Sequence, residues 1–190
     1  MLSEDVSTAH LFLAQLRLAV PIFLSIVVEF SLPIITFVRL AALGKEEMAA
    51  ASLGSMLCNA AALAPGLGLS MAVSTMCAQA FGARNYFLVG RQCQRVMLLL
   101  TAFTVPVAFF LSSSAGFFRL LGLPLPELAE SYTRGMITGI WPYFMFDCLR
   151  RYLSSQQITW PMTATATVTL AIHSVLSGIL VDAYGLVGAA

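Results

Sequence analysis

Residues 48–83 read MAAASLGSMLCNAAALAPGLGLSMAVSTMCAQAFGA, a run of 36 residues without a charged side chain. A helix needs about 20 mostly apolar residues to cross the hydrocarbon core of a bilayer. The run is too long for one untilted span, so part of its N-terminal half is expected to lie outside the hydrocarbon. Pro65-Gly66 inside it is expected to kink the helix. This stretch favours a membrane fold over a water-soluble one.

The composition of the whole chain supports the same conclusion. Of its 190 residues, 59% are hydrophobic and only 10% are charged, with a mean hydropathy of +0.87. Soluble domains carry about 25% charged residues, and a soluble core of this size cannot hide so much apolar surface. The sequence therefore predicts an all-α, polytopic transmembrane helix bundle with the lipid bilayer as its partner. The formal net charge of +1 and the lack of a basic stripe exclude nucleic acid as an expected partner.

Five spans are expected, at about 18–38, 50–79, 96–117, 130–148 and 160–181. Residues 1–16 are expected to form a cytoplasmic tail, because MLSEDVSTAH is acidic where a signal peptide is basic. The final stretch, DAYGLVGAA, is typical of the first turn of a sixth helix. Short loops on the side of the N-terminus hold six Lys and Arg residues against four on the other side, which favours a cytoplasmic N-terminus.

Glu29 lies in the middle of the first predicted span. A carboxylate near the centre of a bilayer is costly, and acids in such positions mark ion pathways and proton relays. Two interpretations stay open: a proton- or cation-binding group, or a glutamic acid that hydrogen-bonds between helices. We expect the first, and assign Glu29 to ion or proton coupling.

Asp147 ends the fourth predicted span, next to Arg150 and Arg151. Asp147 and Arg151 are four residues apart and share a helix face. An ion pair at the membrane interface is one interpretation of this spacing. The other is a second titrating group or a cytoplasmic gate, and on this interpretation we assign Asp147, with Glu29, to ion or proton coupling.

Three further side chains are candidates to line a substrate cavity: Asn59, Trp141 and His173. Asn59 and Gln79 are polar amides in or near the second span, where hydrogen bonds between helices are the alternative role. His173 lies well inside the fifth span, where it is either a packing residue or a proton relay.

No catalytic, metal or cofactor site is expected. Ser70, Ser74 and His173 are the only candidates for a nucleophile and its base, and no Gly-x-Ser-x-Gly elbow surrounds either serine. The spacing of the four cysteines matches neither a zinc site nor a disulfide scaffold. The sequence therefore predicts that the protein is not an enzyme.

Several motifs occur in an order that resembles the multidrug and toxin extrusion (MATE) family, above all its plant and fungal members. The proline-led first span LAVPIFLSIVVEFSL is followed by Leu43-Gly44-Lys45 and an alanine run. AVSTMCAQAFGARN is similar to the family's A-L-D-T-L-C-x-Q-A-x-G-A signature. The later motifs that carry the resemblance are Gly90 with Gln94-Arg95, Arg151-Tyr152-Leu153 with Gln156, His173, and GLVGAA at 185–190.

The resemblance implies a fold, an activity and a set of residues. Residues 17–190 would form part of the N-terminal lobe of a twelve-span, two-lobe exporter. Such exporters move organic cations or other xenobiotics against a proton or sodium gradient. The residues expected to border the cytoplasmic side as motif or gate are Gln79, Gly82, Arg84, Gln94, Arg95, Arg151 and Gln156. Ser74 stands where the family has an aspartate.

Two hypotheses about function follow. The first is a secondary active antiporter in a plasma membrane or a vacuole-type organelle membrane, between which the sequence does not distinguish. The second is a truncated, non-transporting fragment or gene-model piece that only associates with membrane partners, because the resembled family has about twice as many spans. The reading frame of the gene beyond Ala190 would discriminate between them, because further spans would support the antiporter and a stop would support the fragment.

Overall fold

A computed structural model describes residues 8–189, which form helices joined by short connections with no strand among them. The seven α-helices are α1 (Thr8–Leu43), α2 (Lys45–Cys58), α3 (Ala64–Gly82), α4 (Tyr86–Ser112), α5 (Ser114–Leu120), α6 (Pro126–Ser155) and α7 (Trp160–Tyr184). A π-helical segment, Asn59–Leu63, joins α2 to α3, and a 3₁₀ turn, Val187–Ala189, follows α7. This 3₁₀ turn occupies the position in which the sequence predicts the start of a sixth spanning helix.

The charge-free run of residues 48–83 lies within one continuous helical path made of α2, the π-helical segment and α3. The irregularity falls just before Pro65, whose ring cannot donate a hydrogen bond and crowds the preceding turn. A π-helical insertion accommodates such a proline without ending the helix. The path ends at Gly82, and Arg84 then adopts a left-handed backbone conformation with φ of 55°.

Asn85 starts the next helix. Its side-chain oxygen accepts a hydrogen bond from the Leu88 amide at 3.1 Å, which satisfies a free N–H group in the first turn of α4. The segment MCAQAFGARN is therefore a helix end, a left-handed turn and a helix start. The expected motif residues Gln79, Gly82 and Arg84 lie exposed in this connection.

The path from α2 to α3 runs parallel to α6 in nearly constant register. Gly54 meets Tyr132, Gly66 meets Phe144, and Ser70 meets Asp147. At the first two of these points a glycine lets an aromatic ring of α6 lie against the opposing helix. The α2–α3–α6 interface holds much of the buried core, and α4 packs against both α3 and α6.

Helices α1 and α7 form a second parallel pair. Thr163 donates to the carbonyl oxygen of Pro21 at 3.0 Å, and Nε2 of His173 lies 3.1 Å from the hydroxyl of Thr36. Arg39 donates to the carbonyl oxygen of Ser174 at 3.0 Å, further along the same interface. Helices α2, α3, α4 and α5 pack against α6, and α1 reaches α6 through the charged side chains described below.

Four stretches of the described residues are long and apolar enough to cross a membrane: Gln15–Leu43, Lys45–Gly82, Tyr86–Ser112 and Trp160–Tyr184. α6, which contains the fourth predicted span, is not among them. Helix α4 ends at Ser112, and α5 then starts anew, where the sequence suggests one span to residue 117. In the predicted tail, residues 1–7 lie outside the described residues, and α1 already begins at Thr8.

Gly66→Ala is expected to destabilise the contact between α3 and α6. A Cβ atom at this position would clash with Cζ and Cε1 of Phe144, a fully buried ring. Overpacking of this kind costs about 1–3 kcal/mol. We expect a lower unfolding midpoint, measured by circular dichroism during titration with sodium dodecyl sulfate.

Gly68→Ala is the matched control on the same helix, because a Cβ atom there meets nothing within 4 Å. Alanine favours a helix by up to about 1 kcal/mol over glycine, so this variant should be equal to wild type or slightly more stable. Equal midpoints for Gly66→Ala and Gly68→Ala would contradict the packing described here.

Candidate functional site

Asp147 is the centre of a charged network at the meeting point of α1, α3 and α6. Its side chain is fully buried, and it accepts hydrogen bonds from three groups. Ser70 Oγ lies 2.5 Å from Oδ2, Arg151 Nε lies 2.7 Å from Oδ2, and Arg150 Nη2 lies 2.7 Å from Oδ1. The ion pair between Asp147 and Arg151 that helical spacing predicts is therefore present, and it lies in the interior of the bundle.

Glu29 joins the same network from α1. Its Oε2 accepts from Nη1 of Arg150 at 2.6 Å, and its Oε1 accepts from the hydroxyl of Tyr143 at 3.2 Å. The side chains of Glu29 and Arg150 are 29% and 18% exposed. Arg150 therefore bridges the two acids, with one nitrogen on each carboxylate. We call Glu29, Ser70, Tyr143, Asp147, Arg150 and Arg151 the charged network.

The formal charges of the network cancel, with two carboxylates against two guanidinium groups. Buried charges are tolerated only when they are paired and hydrogen-bonded, and each of these four is. Ser74 lies beside the network, with its hydroxyl oxygen 3.5 Å from Nη1 of Arg151. Where the resembled family has an aspartate, this chain places a neutral group, and Asp147 is the acid that balances Arg151.

A cavity of about 280 Å³, here called the inner cavity, lies between α1, α6 and α7. Glu29, Tyr143 and Arg150 reach it, so its polar groups are drawn from the charged network. The remaining lining side chains are mainly apolar, and include Val28, Leu32, Pro142, Phe146, Met162 and Ala166. An apolar chamber with a few convergent polar groups is the usual form of a small-molecule site, and its volume is just below the usual range of roughly 300–1,000 Å³.

The three expected cavity residues lie apart from the inner cavity. The exposed side chain of Asn59 donates to the carbonyl oxygen of Ser55 at 2.9 Å. Trp141 is 47% exposed and its indole N–H donates to Thr101 on α4 at 3.1 Å. His173 contacts Thr36 in the interface between α1 and α7. Their assignment to a substrate cavity stays a prediction.

The expected motif or gate residues divide into two groups. Arg151 belongs to the charged network. Gln94 and Arg95 are exposed on the first turns of α4, and Gln156 donates to the carbonyl oxygen of Tyr152 at the end of α6. Glu29 and Asp147, assigned to coupling from the sequence, are brought into one network by Arg150.

Sequence reasoning missed Tyr143, Arg150 and Ser70 as members of the site. Part of the signal was present, because Tyr143, Asp147 and Arg150 follow each other at i, i+4 and i+7 on one helix face. Ser70 and Ser74 show the same four-residue spacing on α3. Nothing in the local pattern links this face to Glu29, which is 121 residues away from Arg150.

Comparison with known proteins places the chain in a family. The MatE family profile matches residues 21–179. The chain belongs to the MatE family. It is 31% identical to Protein DETOXIFICATION 15 of Arabidopsis thaliana over 174 residues, which cover 90% of this chain and 36% of that protein. It is 28% identical to Protein DETOXIFICATION 16 of the same plant over 188 residues, covering 98% of this chain and 39% of that protein.

The fold of this MatE chain also matches a solved structure, that of the eukaryotic MATE transporter AtDTX14. The TM-score is 0.87 at 21% sequence identity, over 92% of this chain and 40% of the solved one. The chain thus spans about two-fifths of the length of the relatives that it matches. Membership of the MatE family together with the apolar helices makes it an integral, multi-pass membrane protein.

Proposed function

We propose that the chain contributes the inner cavity and the charged network to a secondary active exporter of organic cations or related xenobiotics. Members of the MatE family are transporters rather than enzymes, and AtDTX14 is described as a MATE transporter. The observation that carries the proposal is the position of Glu29. Its carboxylate reaches a largely apolar cavity from the middle of a spanning helix.

The chemistry of the inner cavity fits an amphipathic cargo. Flat apolar groups would contact Val28, Leu32 and Phe146, and a cationic group would be attracted to Glu29. A proton or a sodium ion on Glu29 would cancel that attraction, because the charged network would then carry one net positive charge. Exchange of cargo for ion at one carboxylate is the simplest coupling that this arrangement allows.

Glu29→Gln is expected to remove most of the gradient-driven flux. The amide keeps the size of the side chain but can neither carry the negative charge nor exchange a proton. The measurement is uptake of a fluorescent organic cation into proteoliposomes containing the chain, driven in separate runs by a pH gradient and by a sodium gradient. The gradient that supports uptake by wild type identifies the coupling ion.

Glu127→Gln is the control, because Glu127 lies at the opposite end of α6 and is 68% exposed. It should transport like wild type. If wild type transports and Glu29→Gln transports equally fast, Glu29 has no part in coupling.

A second candidate is that these 190 residues bind cargo but do not carry it on their own. The observation that favours it is the coverage, since the chain corresponds to 36% and 39% of two relatives. Equilibrium binding of radiolabelled tetraphenylphosphonium to the chain in nanodiscs, compared with uptake into proteoliposomes, distinguishes the two candidate functions. Binding without flux supports the second candidate, and flux supports the first.

A further inference from the structure

A second cavity lies next to the inner cavity and shares part of its wall. This outer cavity has a volume of about 250 Å³ and is lined in part by Ile22, Ser74, Arg151 and Ser154. Arg150 and Met162 line both cavities, and they also line a smaller pocket of about 170 Å³ between α6 and α7. Both side chains are largely removed from solvent, with Met162 5% exposed and the Arg150 side chain 18%.

The order of lining residues along α6 shows how the two cavities are arranged. The inner cavity is lined by Pro142, Tyr143 and Phe146, and the outer one by Arg151 and Ser154, with Arg150 between them in both. Since Ser155 is the last residue of α6, the outer cavity lies nearer to that end of the bundle. The sequence predicts this end to be cytoplasmic.

Helices α1 and α7 give the same order. On α1 the outer cavity contacts Ile22 and Ile26, whereas the inner one begins at Ser25 and extends to Leu32, so the two overlap by one residue. On α7 the outer cavity contacts Met162 alone, close to the first residue of the helix, and the inner one continues to Ala166 and Thr169. Along α6 and α7 the two cavities therefore follow one another, with Arg150 and Met162 in the wall that they share.

In that shared wall Arg150 bonds to Glu29 through Nη1 and to Asp147 through Nη2. We infer that Arg150 is a specificity-determining residue that separates the two cavities and occupies Glu29 as a built-in competitor of the cationic cargo. The two roles have one cause. The guanidinium group that blocks the path is also the cation that neutralises the carboxylate facing the inner cavity.

The geometry gives Arg150 a second position without leaving it unpaired. When a cation approaches Glu29, the bond from Nη1 to Glu29 is lost, but the bond from Nη2 to Asp147 remains. Asp147 is anchored in turn by Ser70 and Arg151. A cargo without positive charge gains nothing at Glu29 from this exchange, so Arg150 selects for cations that compete with it.

Cysteine accessibility tests the partition without any transport assay. Ala166→Cys places a thiol in the wall of the inner cavity, and Ser154→Cys places one in the outer cavity. Each is introduced with and without Arg150→Gln, in nanodiscs. Modification by two membrane-impermeant methanethiosulfonates, one cationic and one anionic, is followed by mass spectrometry of the peptide that carries the new cysteine.

We expect Arg150→Gln to raise the modification rate at Ala166→Cys by about tenfold for both reagents, and to leave Ser154→Cys unchanged. Arg150→Lys should give a smaller rise, because one ammonium group cannot bridge two carboxylates as the guanidinium does. Acceleration of the cationic reagent alone would show that Arg150 acts only through its charge. No acceleration of either reagent would overturn the partition.

The competitor role rests on the proposed function and is tested separately, by binding of tetraphenylphosphonium. Arg150→Gln should bind it about tenfold more tightly than wild type, and Glu29→Gln combined with Arg150→Gln should lose that gain. A gain that survives in the double variant would overturn the competition for Glu29. If wild type and Arg150→Gln bind no cation while the accessibility result holds, the proposed function fails and the partition stands.

Discussion

Asp147→Asn is expected to lower the free energy of unfolding by about 3–5 kcal/mol, the usual cost of removing one partner from a buried charge pair. The Asp147 side chain is 1% exposed, and it is bound to both Arg150 and Arg151, whose side chains are 18% and 20% exposed. Asparagine keeps the shape but removes the negative charge. Arg151, whose side chain is 20% exposed, is then left without an acid in the charged network.

The effect of Asp147→Asn is measured by titration with sodium dodecyl sulfate, followed by circular dichroism. Glu127→Gln serves as the control, because the pair between Glu127 and Arg119 is 68% and 63% exposed and is expected to contribute nothing measurable. A loss no larger than that of Glu127→Gln would show that Asp147 does not hold the network together.

Asp147→Glu separates charge from shape at the same position. The charge is kept, but the added methylene must fit where Ser70 already lies 2.5 Å from the carboxylate. Overpacking predicts a loss of about 1–3 kcal/mol, smaller than that of the asparagine variant. The reverse order would mean that fit, rather than charge balance, dominates at this site.

The sequence predicts the helical membrane fold well because that prediction rests on local quantities. Run length, apolar content and the glycine and proline positions within residues 48–83 all act within one helix. Helix α7 starts at Trp160, the first residue of the predicted span 160–181, whereas the Asn85 cap that starts α4 lies outside the predicted span 96–117. The break at Ser113 was missed, since residues 96–117 contain no charge that marks an end.

The composition of the site was predicted less well than the fold. Glu29 and Asp147 can each be identified as candidate site residues from the sequence, because an acid in a spanning segment is costly. Arg150 does not, since its position beside Arg151 is typical of a residue at a membrane interface. Its role emerges only when α1 and α6 pack together and bring Glu29 within 2.6 Å of its guanidinium group. Pairing between distant helices is a tertiary property that one sequence does not carry.

Trp141 is a residue that the sequence assigns to the cavity and that the structure places outside the inner cavity. Aromatic residues in membrane proteins line cavities or lie at interfaces, and the residue type does not decide between the two. Its neighbours Pro142 and Tyr143 reach the inner cavity, whereas Trp141 bonds to Thr101 on α4. One helical position, about 100° of rotation, decides which side chain faces the cavity.

Glu29→Gln and Arg150→Gln are expected to be strongly non-additive. Arg150→Gln alone leaves Glu29 with the hydroxyl of Tyr143 as its hydrogen-bond donor. It also removes the hydrogen bond from Arg150 to Asp147. It should therefore destabilise the protein more than Glu29→Gln, which leaves Arg150 bound to Asp147. In the double variant the remaining charges, on Asp147 and Arg151, still cancel. The double variant should thus be more stable than the sum of the two single losses predicts.

The expected coupling free energy between Glu29 and Arg150 is about 1–3 kcal/mol, within the range for residues that share one charged network. It is obtained from a double-mutant cycle of unfolding titrations. The same cycle on the exposed pair Arg119 and Glu127 should give no measurable coupling. Additive losses at Glu29 and Arg150 would mean that their contact contributes no energy of its own. Such a contact could not compete with a cation for Glu29.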